Sequence, residues 1–126
     1  MDETVDHAES ITRYLRNSSH LRSSLGRPHY SAYLPSVPDG VISVYRTAGM
    51  APVDIEALGS QYVGSPGSPL KGHCDLAAGE FFSEGLNIES VPIPHERHAN
   101  VKGWTADPRN RIVARKLADK AKLAVY

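Results

Sequence analysis

The ten residues His95-Glu96-Arg97-His98-Ala99-Asn100-Val101-Lys102-Gly103-Trp104 concentrate more chemically able side chains than any other stretch of the chain. His95 and His98 carry imidazole, a side chain suited to general acid–base work. Arg97 and Lys102 are cations of the kind that hold a phosphate or carboxylate. Asn100 donates and accepts, as a base edge requires, and Trp104 offers a ring to stack on. Arg46 closes a strong strand pattern, and open sheets place their ligands at strand ends. It therefore joins Arg97 as an expected anion contact, with Tyr30 and Tyr33 assisting. The plainer alternative is a solvated loop in which Trp104 fills the core and Asn100 bonds the backbone.

Two further groupings carry weight. Arg13, Tyr14, Arg16, Arg22, Arg27, His29, Tyr30 and Tyr33 lie in a stretch, residues 10–38, that contains no acid at all. Those arginines need partners from elsewhere in the fold, from water, or from an anionic ligand; Tyr with Arg is also the composition of interface anchors. His73-Cys74-Asp75 together with the His95/His98 pair contains zinc-type donors. No HExxH, paired CxxC or calcium loop accompanies them, so no metal and no cofactor is expected. Adjacent strand residues face opposite ways, so His73 and Cys74 cannot form a nucleophile–base pair. Phosphate-cradling glycine loops and a GxSxG elbow are absent.

Charge is segregated. The 126 residues carry 14 basic and 14 acidic side chains, which excludes a uniformly basic nucleic-acid coat. Residues 39–96 nevertheless hold eight acids against two bases, and residues 97–126 hold eight bases against two acids. The basic end must either pack on the acidic middle or keep its charge for an anion. A single cysteine excludes a disulfide scaffold. The start Met-Asp-Glu-Thr-Val-Asp is unlike a signal peptide, and no run approaches ~18 apolar residues, so a cytoplasmic protein with no membrane association is expected.

The elements that must position these groups follow from periodicity. Val5, Ala8, Ile11 and Leu15 recur at helical spacing and predict a helix over 4–17, capped by Asp2 or Thr4, with acids first and arginines last as the helix dipole prefers. A short helical turn is expected at 21–25 and an extended segment at 29–34. Strands are expected at 41–46, 73–78 and 86–91. Pro52 opens a helix over 52–62, although Gly59 interrupts it at ~1 kcal/mol. A helical turn follows at 79–84, and a basic helix over 108–124, capped by Asp107, ends the chain. The 95–106 segment reads as loop, and Gly64-Ser-Pro-Gly-Ser-Pro69 as a flexible linker within 64–70. The expected fold is a compact single α+β domain over 1–126, with a small three- or four-stranded sheet, a capping N-terminal helix and a long basic C-terminal helix.

The functional expectation is a small protein that binds a phosphorylated or otherwise anionic ligand, a nucleotide or RNA, with metal-independent acid–base chemistry at His98 and His95. One alternative is a non-catalytic interaction module or homo-oligomer held by charge complementarity. Another is a metal-dependent hydrolase built on His73, Cys74, His95 and His98.

Overall fold

The structure is a computed structural model that describes residues 3–126. Its elements in chain order are β1 (Ser10–Leu15), β2 (Leu21–Arg22), β3 (Arg27–Pro28), β4 (Ile42–Arg46), α1 (Pro52–Tyr62), β5 (Gly72–Ala77), α2 (Ala78–Ser83), β6 (Asn87–Ser90), β7 (His98–Lys102), α3 (Arg109–Lys120) and β8 (Lys122–Val125). Short 3-10 turns occupy Ser18–His20, Ser23–Leu25 and Tyr30–Tyr33.

The expected three- or four-stranded sheet is corrected to six strands in the order β6-β7-β4-β1-β5-β8, with β2 and β3 forming a separate two-stranded pair. Every pairing is antiparallel. Four expected elements change identity. The N-terminal helix is instead strand β1, the 95–106 loop contains β7, and the last helix stops at Lys120 so that its final residues form β8. Asp2 lies outside the described residues. The 29–34 segment is the 3-10 turn rather than extended chain. Asp107 makes no cap; it pairs with Arg111 at 3.8 Å, one helical turn on.

Strand β1 runs through the middle of the sheet. Ile11, Thr12 and Tyr14 are β-favouring side chains, and both faces are covered. Ile11 and Leu15 lie in a core with Ile42, Val44, Cys74, Leu76 and Val101 of the neighbouring strands. That core is closed by Phe81 of α2, by Val113, Ala114 and Leu117 of α3, and by Tyr33 and Trp104. The opposite face is polar except where α1 lies on it, packing Ile55 and Leu58 on Tyr14 and Tyr45. Gly59 permits that approach, since a Cβ there would overlap the Tyr14 ring and Leu70.

The ladders are uneven. β1 registers six residue pairs with β5, from Ser10–Ala77 to Leu15–Gly72. With β4 it registers only Ile11–Arg46 and Thr12–Tyr45. Beyond Thr12 the two strands part, and the Arg13 side chain bridges them, donating from Nη1 to the Ser43 carbonyl at 2.9 Å and from Nε to the Ala32 carbonyl at 3.1 Å. The 64–70 stretch is a turn closed by reciprocal backbone bonds between Ser65 and Ser68. Among the described residues no helix is long and apolar enough to cross a membrane.

Candidate functional site

Apart from Tyr30, the side chains singled out in sequence divide into three groups. Tyr33 and Trp104 are core residues, 0% and 3% exposed, so neither presents a ring face to a ligand. Arg46 and Arg97 are adjacent in space but engaged. The Arg46 guanidinium donates to both carboxylate oxygens of Glu9, and Arg97 donates from Nη1 to the Arg46 carbonyl at 2.9 Å. His95 accepts the Arg97 amide and packs edge-on against Tyr62. Tyr30 lies elsewhere, on the α3 side, under the guanidinium of Arg115 at 4.8 Å. The third group, His98, Asn100 and Lys102, alternates along β7 and shares the polar sheet face, with Lys102 donating to Glu89 at 2.8 Å.

The basic C-terminal third packs on the acidic middle. Lys120 donates to Glu80 at 2.8 Å, Lys116 lies 3.6 Å from Glu84, and Arg109 donates to the Glu84 carbonyl at 3.2 Å. Part of the charge complementarity expected within or between copies is thus met within one chain. The basic block 10–38 has less provision. Arg27 pairs with Asp119 at 3.5 Å, but Arg13, Arg16 and His20 have no carboxylate partner among the described residues.

Those three side chains, joined by Lys71, line a cleft of about 640 Å³ where β1 and β4 part, with Tyr14 and Ser43 completing the wall. Burial disfavours the charged form of Arg13 and lowers its pKa, yet among the described residues its guanidinium donates only to carbonyl oxygens. Burial also lowers the His20 pKa, and the Arg13 charge lowers it further. Unneutralised cations facing one cleft set up a positive potential there, and low-dielectric walls focus it.

Along the polar face run two hydrogen-bonded chains. In the first, Thr12 donates to Asp75 Oδ1 at 2.5 Å, Thr47 donates to Thr12, and Asp75 Oδ2 lies 3.3 Å from His73 Nε2. With Nε2–H turned to the carboxylate, His73 Nδ1 accepts from the Tyr126 hydroxyl. In the second, His98 Nδ1 lies 2.9 Å from the Val91 carbonyl and Nε2 lies 2.6 Å from Ser43 Oγ. A carbonyl only accepts, so Nδ1 donates to it, and Nε2 is the nitrogen whose lone pair can meet the serine hydroxyl.

Cys74 lies on the core face, away from His73, and burial pushes its thiol up to about 12. On that face it shares no site with His73, and a buried thiol is a poor nucleophile. No group of three or more His, Cys, Asp or Glu side chains among the described residues is placed to hold a metal ion. Sequence reasoning missed Ser43, His20 and Lys71. The signal for Ser43 was a lone polar residue inside an apolar strand; those for His20 and Lys71 depend on long-range register and are absent from local pattern.

No protein-family model, no curated protein and no solved structure matches this chain. The fold and site define it by themselves: an α+β domain whose antiparallel sheet is split beside an arginine and covered on one face by an incomplete layer.

Proposed function

We propose that the chain binds a small phosphorylated or otherwise anionic ligand, of the nucleotide class, in the cleft between β1 and β4. One observation carries this reading: Arg13, Arg16 and Lys71 face a common cleft beside the imidazole of His20, and among the described residues no carboxylate there neutralises them. A partly buried guanidinium without an acid is costly to maintain in an empty site, and an oxyanion supplies what its carbonyl partners do not. Compared with the expectation from sequence, the ligand class is kept. The cations that hold it shift from Arg46 and Arg97, which are engaged, to the Arg13 cluster.

Thermal melts with sulfate, inorganic phosphate and AMP test the reading. A ligand at ~100 times its Kd adds about 2.7 kcal/mol, so the melting temperature rises in wild type. The rise disappears in the Arg16→Met/Lys71→Met variant, which alters two exposed side chains only. It also weakens as NaCl screens the cleft. Unchanged melting with all three anions overturns the reading.

A further inference from the structure

We propose that Ser43 is a nucleophilic serine, activated by His98, and that the chain cleaves esters that carry an anionic group. The sheet register puts three side chains together on one face. Ser43 of β4 stands directly opposite Asn100 of β7, and His98 is two residues before Asn100 on the same strand. Side chains opposite one another in an antiparallel pair have Cβ atoms ~5 Å apart, and diagonal neighbours remain within reach of a long side chain. Here the diagonal is closed by the 2.6 Å contact between Ser43 Oγ and His98 Nε2.

Each member has a defined role. The Val91 carbonyl fixes the His98 tautomer, as a third group orients the base wherever a hydroxyl is activated by imidazole. His98 is buried, held also by the edge of the Tyr45 ring at 5.3 Å, whereas Ser43 is exposed and forms part of the wall of the Arg13 cleft. Asn100 is half-buried and its carboxamide has no protein partner among the described residues. An amide donor beside a nucleophilic oxygen is placed to stabilise a developing oxyanion.

In the reaction, Oγ bonds to the ester carbonyl carbon while its proton passes to Nε2, and the carbonyl oxygen becomes an oxyanion facing Asn100. Collapse of the intermediate breaks the bond to the leaving oxygen, which takes the proton from Nε2 and departs as an alcohol. Water then attacks the acyl-serine in the same way, releasing the acid and restoring Ser43. The nucleophile stands on its own geometry. The anionic character of the substrate rests on the cleft reading above.

The full chain treated with a fluorophosphonate probe and mapped by mass spectrometry tests both parts. Expected is an adduct on Ser43, absent in Ser43→Ala and at least 100-fold slower in His98→Gln. In Asn100→Ala, hydrolysis of a p-nitrophenyl ester falls about 100-fold, the effect of losing one oxyanion donor. Because His98 is buried, the comparison inside wild type is the safeguard. Native Ser43 must react faster than exposed Ser36, and the advantage must vanish in urea. A native Ser43 that reacts no faster than Ser36, or a folded His98→Gln that labels at the wild-type rate, overturns the nucleophile. Sulfate that slows labelling of Ser43 supports an anionic substrate; labelling indifferent to sulfate overturns that part alone.

Discussion

Glu9 grips Arg46 from two sides, Oε1 accepting from Nη2 at 2.9 Å and Oε2 from Nε at 2.5 Å, with both side chains almost wholly out of water. The pair ties the chain before β1 to the end of β4. Removing one partner of a buried pair leaves an uncompensated charge and costs ~3–5 kcal/mol, whereas replacing both with apolar side chains is often nearly neutral. Glu9→Gln is therefore expected to cost about 3 kcal/mol in urea unfolding. The double variant Glu9→Leu/Arg46→Met will be the more stable of the two. A double variant weaker than the single one would contradict this account.

Gly59 and Gly67 should respond oppositely to alanine. In a helix interior alanine is worth ~1 kcal/mol over glycine. At Gly59 the added methyl overlaps the Tyr14 ring and Leu70; overpacking costs ~1–3 kcal/mol, so Gly59→Ala destabilises. At Gly67 a Cβ meets nothing within 4 Å, and Gly67→Ala is expected to gain ~0.4–1 kcal/mol through the unfolded chain. Paired melts decide both.

Asp75 makes stability depend on acid. Burial alone would raise its pKa, but hydrogen bonds from His73 and Thr12 outweigh this and hold the carboxyl below its usual value. Such a group stabilises fully above the unfolded pKa of ~3.9 and loses that contribution as pH falls through the folded value. From about pH 5 downward, wild type should lose more stability than Asp75→Asn does. Equal losses in the two proteins would assign the acid sensitivity to other carboxylates.

Cys74 should be silent toward thiol reagents in the native state. Burial holds it as a thiol, pushed up to about 12, and the thiolate is the reactive form. A disulfide reagent at neutral pH is expected to modify it only after unfolding. Rapid native reaction would mean that the core over β5 opens readily.

Legibility from sequence varied with local signal. Helix α1 runs from Pro52 to Tyr62 as expected, because its proline start and apolar stripe are both local features. Strands β4, β5 and β6 were likewise marked by β-branched runs or alternation. β1 was misread because it is central: covered on both faces, it shows buried side chains on both, and Val5, Ala8, Ile11 and Leu15 coincide with a helical repeat. β7 was hidden by its chemistry. Ala99 and Val101 do face the core, but the polar partners His98, Asn100 and Lys102 drew the eye as a loop. The same alternation places His98 and Asn100 on one face, so that part of the site was legible, whereas Ser43 needed the β4–β7 register.

The short ladder between β1 and β4 has a mechanical consequence. Two registered pairs join a plate of β6, β7 and β4 to a plate of β1, β5 and β8, so the join is the least bonded seam of the sheet, and Arg13 bridges it. Lys71 belongs to one plate's margin and Ser43 to the other. Whatever occupies the gap fastens both plates at once. Its signature will be slower amide exchange in β6, a strand the occupant need not touch.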